Sequence, residues 1–221
     1  MNNPTLDTRS RRLVRPSASQ AERSVQANQT RGTSLDLVLF RHLVQDLIMA
    51  SRANRHQWLT KVVDHIRSSR YPLDCINHLL AECVTAGGTD GLDIAIDVLT
   101  QVGRQAVSAA EAFAKTDLGF RRNDATAPAS HSVHDDVWYA LLRGICRSDA
   151  AWPQKFFVLR QAANHKSESV REAVVHAMVD FVEKEPAMVD VTRSWLKQFA
   201  ESDSSAGVKE TAAEALRDLE A

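Results

Sequence analysis

Three stretches of the chain repeat one pattern without gaps: VHDDVWYALLRG from Val133, VREAVVHAMVDF from Val170 and VKETAAEALRDL from Val208, 37 and 38 residues apart. A period of that length, with two helices in each unit, restricts the fold more than any other feature. One helix pair cannot bury its apolar side alone, whereas a stack of pairs buries a continuous core. The pattern predicts an all-α protein, a right-handed α-solenoid of about five antiparallel helix pairs.

From Ser34 onward, apolar residues recur at three- and four-residue spacing, and no alternating strand pattern interrupts them. Breakers divide this region into helices near 34–52, 55–69, 72–86, 90–102, 104–116, 132–147, 153–164, 167–184, 187–201 and 206–220. Pro72, Pro153 and Pro186 fall in first turns, where a missing N–H costs nothing, and AGGTDG from Ala86 forces a loop. One connection, LGFRRNDATAPASHS at 118–132, is too long for an ordinary link between packed helices and marks either function or mobility.

The first 33 residues differ in kind. They hold Arg9, Arg11, Arg12, Arg15, Arg23 and Arg31 against Asp7 and Glu22, a net +4 in a chain whose total is −1, so the remainder carries −5. Scattered single apolar residues without a period predict a disordered basic tail over 1–33, followed by a single helical-repeat domain over 34–221. No apolar run approaches the roughly 18 residues that cross a bilayer, and no secretory stretch opens the chain. The three cysteines, Cys75, Cys83 and Cys146, sit inside apolar helical patterns, as reduced thiols of a cytoplasmic protein do.

The repeated stretches resemble the HEAT-repeat family, most clearly over residues 133–221. The resemblance rests on a Val followed by a basic residue and then small residues at helical spacing: Val170, Arg171, Ala173 and Ala177, and again Val208, Lys209, Ala212 and Ala215. Asp203 stands five residues before Val208, where such repeats often carry a turn Asp that pairs with the basic residue along the stack. The equivalent earlier positions hold His165 in place of Asp and His134 in place of Arg or Lys, so the resemblance implies an incomplete ladder. It also implies an interaction surface rather than a chemistry.

At 100° per residue, Val170, Val174, Ala177, Met178 and Phe181 share one stripe and form the core, together with their counterparts in the other two repeats. Opposite them stand Asp135, Glu172 and Glu210, then Trp138, Tyr139, Leu142, Val175, His176 and Val179. Two readings of these residues stay open. Either they line a partner surface on the second helices, apolar anchors within a polar rim, or another part of the chain covers them. The first gives a non-catalytic scaffold or adaptor for a protein or peptide, with Glu172 and Asp135 selecting a basic partner. No cofactor is implied.

Two other classes find support in the residues. Arg52, Arg55, Lys61, Arg67 and Arg70, with Arg121, Arg122 and the tail, supply charge for a nucleic-acid-binding repeat protein using the basic N-terminal half, opposed by the acidic columns of the last three repeats. His131 and His134, followed by Asp135 and Asp136, offer the ligands of a metal-dependent hydrolase similar to the HD phosphohydrolases. The repeat explains His134 and Asp135 equally well, since they occupy the positions of Arg171 and Glu172. Cys75, His78 and Cys83 spread around their helix and lack a fourth ligand, so the expectation is no metal and no catalytic residue.

Overall fold

The periodicity becomes helix after helix in the computed structural model, which describes residues 36–86, 89–117 and 133–220. The basic tail, the long connection and His131, Arg121 and Arg122 lie outside the described residues. Helix α1 covers 36–49; the others are α2 Arg52–Ser68, α3 Pro72–Ala86, α4 Thr89–Val102, α5 Arg104–Thr116, α6 Val133–Arg147, α7 Trp152–Ala162, α8 Glu168–Lys184, α9 Val189–Ser202 and α10 Ala206–Asp218. Among the described residues there is no strand.

Local chemistry sets the boundaries. Pro72 opens α3 and Pro153 sits in the first turn of α7. Pro186 behaves differently from expectation: it opens a 3-10 turn, Pro186–Met188, and α9 begins only after it, because Glu185 leaves helical geometry at φ −126° and ψ 69°. Gly103 alone separates α4 from α5, and its φ of 45° is one that glycine adopts without steric cost. Ser205 caps α10, its hydroxyl accepting from the Val208 N–H.

Two rows of helices result. The even-numbered helices pack each on the next, α2 on α4, α4 on α6, α6 on α8 and α8 on α10. The odd-numbered helices lie against them, α3 on α4, α5 on α6, α7 on α8 and α9 on α10. Within the odd row, α3 packs on α5 and α5 on α7, but the backbones of α7 and α9 do not approach in the same way. One buried cluster runs from Phe40 of α1 to Ala215 of α10, and the described residues from Leu37 onward form one compact unit.

The even row is tight because small residues let backbones approach. A Cβ on Gly144 of α6 would stand 2.5 Å from Leu99 Cβ and 3.3 Å from the Ile96 carbonyl oxygen of α4. The row is also linked by polar pairs. Arg143 of α6 donates bidentately to Asp180 of α8, its Nη2 to Oδ1 at 2.9 Å and its Nε to Oδ2, and Arg147 adds a second contact at 3.0 Å. Arg143 and Asp180 occupy the same position in successive repeats, so the helices stack in register. The pairing and the Tyr139 hydroxyl strengthen the hold on the Arg143 proton despite burial.

Lys155 is fully buried: its stem packs in the core while Nζ reaches Glu185 Oε1, 3.3 Å away at the C-terminal end of α8. All three cysteines are buried and none is in a disulfide. Burial pushes the Cys83 thiol up to about 12 and raises that of Cys146 further, which keeps both protonated and unreactive.

Candidate functional site

The second-helix face expected from the sequence is largely interior. Trp138 is 0% exposed; its Nε1 donates to Asp117 Oδ2 at 2.5 Å, and its ring lies 5.5 Å from that of Phe113 and 6.4 Å from that of His165. Leu142 and Val175 are buried as well. Asp135, expected on an acidic rim, is buried and accepts from the Ser167 hydroxyl at 3.1 Å. These four residues are therefore corrected from partner contacts to parts of the core. The reason is that each interior even helix is flanked by two even neighbours and by odd helices, so far more than one stripe of its surface is covered.

The other four residues keep some access. Tyr139 and Val179 are half-buried, and His176 is exposed. The Tyr139 and His176 rings meet edge to face at 6.4 Å, and the Tyr139 hydroxyl accepts from Arg143 Nη1 at 2.9 Å. Glu172 is half-buried and accepts from the Thr211 hydroxyl of α10 at 3.0 Å. These groups join one repeat to the next.

The turn Asp of the ladder is engaged: Arg171 reaches Asp203 with Nε at 2.8 Å and Nη2 at 2.9 Å, while its Nη1 donates to the carbonyls of His165 and Lys166. His165, buried in the equivalent earlier position, accepts from the Ser167 N–H through Nδ1 and turns Nε2 toward Asp117 at 3.5 Å. His134 stands edge-on to Phe113 at 5.6 Å. Among the described residues no group of three His, Cys, Asp or Glu is placed to hold a metal. Of the N-terminal cations, Arg67 donates to the Gln101 carbonyl, and Lys61 lies 3.9 Å from the Trp58 ring centroid. Burial and Asp93 hold the Asp97 carboxyl above its ordinary pKa, against the pull of Arg147 and Arg55.

A concavity lies where the odd row parts. Between α7 and α9 is a groove of about 580 Å³, lined by Phe156, Arg160, Ala163 and Asn164 on one side and Trp195, Gln198, Phe199, Ser202 and Asp203 on the other. Phe156 and Trp195 meet across it at 4.7 Å, their planes inclined by 30°. On the same two helices, Trp152 and Phe157 of α7 are 46% and 50% exposed, and Val191 of α9 is 40% exposed. Val191, Trp195 and Ser202 share one side of α9 at helical spacing, about 100° round the helix from the buried Thr192 and Leu196.

Aromatic side chains half-covered by their own chain, within a rim of Arg, Asn, Gln and Ser, are suited to gripping an apolar anchor from another molecule. Reasoning from the second helices passed this groove by, although the signal was present: Trp152, Phe156 and Arg160, then Trp195 and Phe199, recur one turn apart.

What the fold defines is an all-α protein in two rows of helices, without a helix among the described residues long and apolar enough to cross a membrane. Compared with known proteins, the chain matches no family model, no curated sequence and no solved structure.

Proposed function

We propose that the protein is a non-catalytic, cytoplasmic scaffold or adaptor, a HEAT-like right-handed solenoid of five antiparallel helix pairs, that holds a protein or peptide segment between α7 and α9. The solenoid reading is supported by the even row, where residues at one repeat position touch their counterparts one repeat on: Arg143 on Asp180, and Tyr139 on His176. Three buried cysteines without a disulfide support a reducing compartment. The observation that carries the binding function is the aromatic groove itself, because Phe156, Trp195 and Phe199 keep access to solvent where the neighbouring odd helices α7 and α9 separate.

A photoreactive residue placed at Gln198 or, as a control on the second-helix face, at His176 tests this in cells. Both positions are exposed, so neither replacement disturbs the core. A discrete crosslinked species from Gln198 and none from His176 is the expected result. The reverse pattern would return the site to the second helices.

A further inference from the structure

We infer that the occupant of the α7/α9 groove is a peptide segment in which an apolar anchor stands beside a carboxylate, an inference that rests on the groove being the binding site. The polar lining of the groove offers donors that have no acceptor among the described residues, while its carboxylate is occupied. Its lining carboxylate, Asp203, is already engaged: Arg171 binds it bidentately and the Ser205 N–H donates to it at 2.8 Å. The Arg171 hydrogen bonds hold the Asp203 carboxyl below the usual carboxylate range, so it is ionised and locally neutralised.

Arg160 on the other wall is exposed, and among the described residues its guanidinium has no ion pair or hydrogen bond. The indole N–H of Trp195 likewise has no acceptor among them. A guanidinium offers a planar fork of donors and no acceptor, and an indole donates only. A carboxylate matches that fork with two parallel hydrogen bonds, whereas a Lys or Arg on the ligand would meet uncompensated positive charge.

Spacing sharpens the motif. Arg160 follows Phe156 by one helical turn, so the guanidinium and the aromatic floor are based about 5–6 Å apart along α7. An extended chain advances about 3.3 Å per residue, so the carboxylate belongs about two residues from the anchor. The partner expected from the sequence was basic. That expectation relied on Asp135, which is buried, and on Glu172, which is bonded to Thr211.

Selecting displayed random short peptides on the full-length protein, with the Gln198→Trp variant as counter-target, tests the inference. Gln198 is exposed and lines the groove, so the added indole fills it without entering the core. The enriched peptides are then labelled and titrated by fluorescence polarisation, alongside versions with Asp and Glu changed to Asn and Gln, or to Lys. We expect enrichment of Asp or Glu about two residues from Trp, Phe or Leu. Neutralising those carboxylates should weaken binding about tenfold, and Arg160→Glu should transfer the preference to the Lys version.

Neutral or basic enriched peptides, indifferent to Arg160→Glu but lost with Gln198→Trp, would overturn the carboxylate and leave the groove standing. Enriched peptides that bind the Gln198→Trp variant equally well, or no enrichment, would overturn the groove and the inference together. A wild-type dimer that Gln198→Trp converts to monomer in sedimentation would make a second copy the occupant and overturn the peptide.

Discussion

The even row of helices is closed from α2 to α10, whereas the odd row, closed from α3 to α7, opens between α7 and α9. In the even row, α6 approaches α4 where Gly144 leaves no room for a Cβ, and Arg143 and Arg147 converge on Asp180 of α8. In the odd row, α7 and α9 are bridged by the ring contact of Phe156 with Trp195, and the space beside it remains open. Under the proposed function, the difference teaches that stability and recognition fall to different rows. Fixed polar pairs and small residues hold the stack, while adaptable aromatic surface is left where the stack does not close.

That comparison breaks most readily at Asp180. Asp180→Ala leaves Arg143, whose side chain is only 19% exposed, without its carboxylate, and the expected loss is about 3–5 kcal/mol in chemical denaturation. A loss below about 1 kcal/mol would mean that the even row does not depend on its ion pairs. Gly144→Ala should cost about 1–3 kcal/mol, because Leu99 and the α4 backbone must move to admit a methyl group. An unchanged melting temperature would show that α4 and α6 have slack.

Acid provides a finer test. The Asp203 carboxyl has its pKa lowered by Arg171, so the pair stabilises the fold above the unfolded carboxyl pKa of about 3.9, and that contribution disappears as pH falls through the folded value. Asp203→Asn should lower the melting temperature at neutral pH, with the wild-type and variant curves converging below about pH 4. Parallel curves at all pH values would remove the linkage. The smallest effects belong to the open row: Phe157→Ser and Val191→Ser, both at exposed positions, should change stability by no more than about 0.5 kcal/mol. A larger loss at either position would show that this surface is part of the structural core.

The sequence revealed helix positions well because one stripe of each helix must be apolar, and Val170, Val174, Ala177, Met178 and Phe181 are all in the core as their spacing requires. It left Trp138, Leu142 and Val175 open between a partner surface and the core, since an apolar residue outside the main stripe looks the same whether it meets solvent or a neighbouring helix. The buried polar links were only partly legible. Arg171 with Asp203 could be anticipated from the repeat, but Arg143 with Asp180 became meaningful only once equal repeat positions were seen to touch. The groove was less legible still, because it depends on the separation of α7 from α9, and no residue pattern within either helix encodes that distance.

The repeat-to-repeat pairing has a mechanical consequence. Arg143–Asp180 and Arg171–Asp203 join residues 37 and 32 apart, so each pair closes a short segment of chain. Under tension applied at its two ends, the molecule should yield in successive steps of roughly one repeat. Its force–extension curve would then be a sawtooth with teeth spaced by single helix pairs.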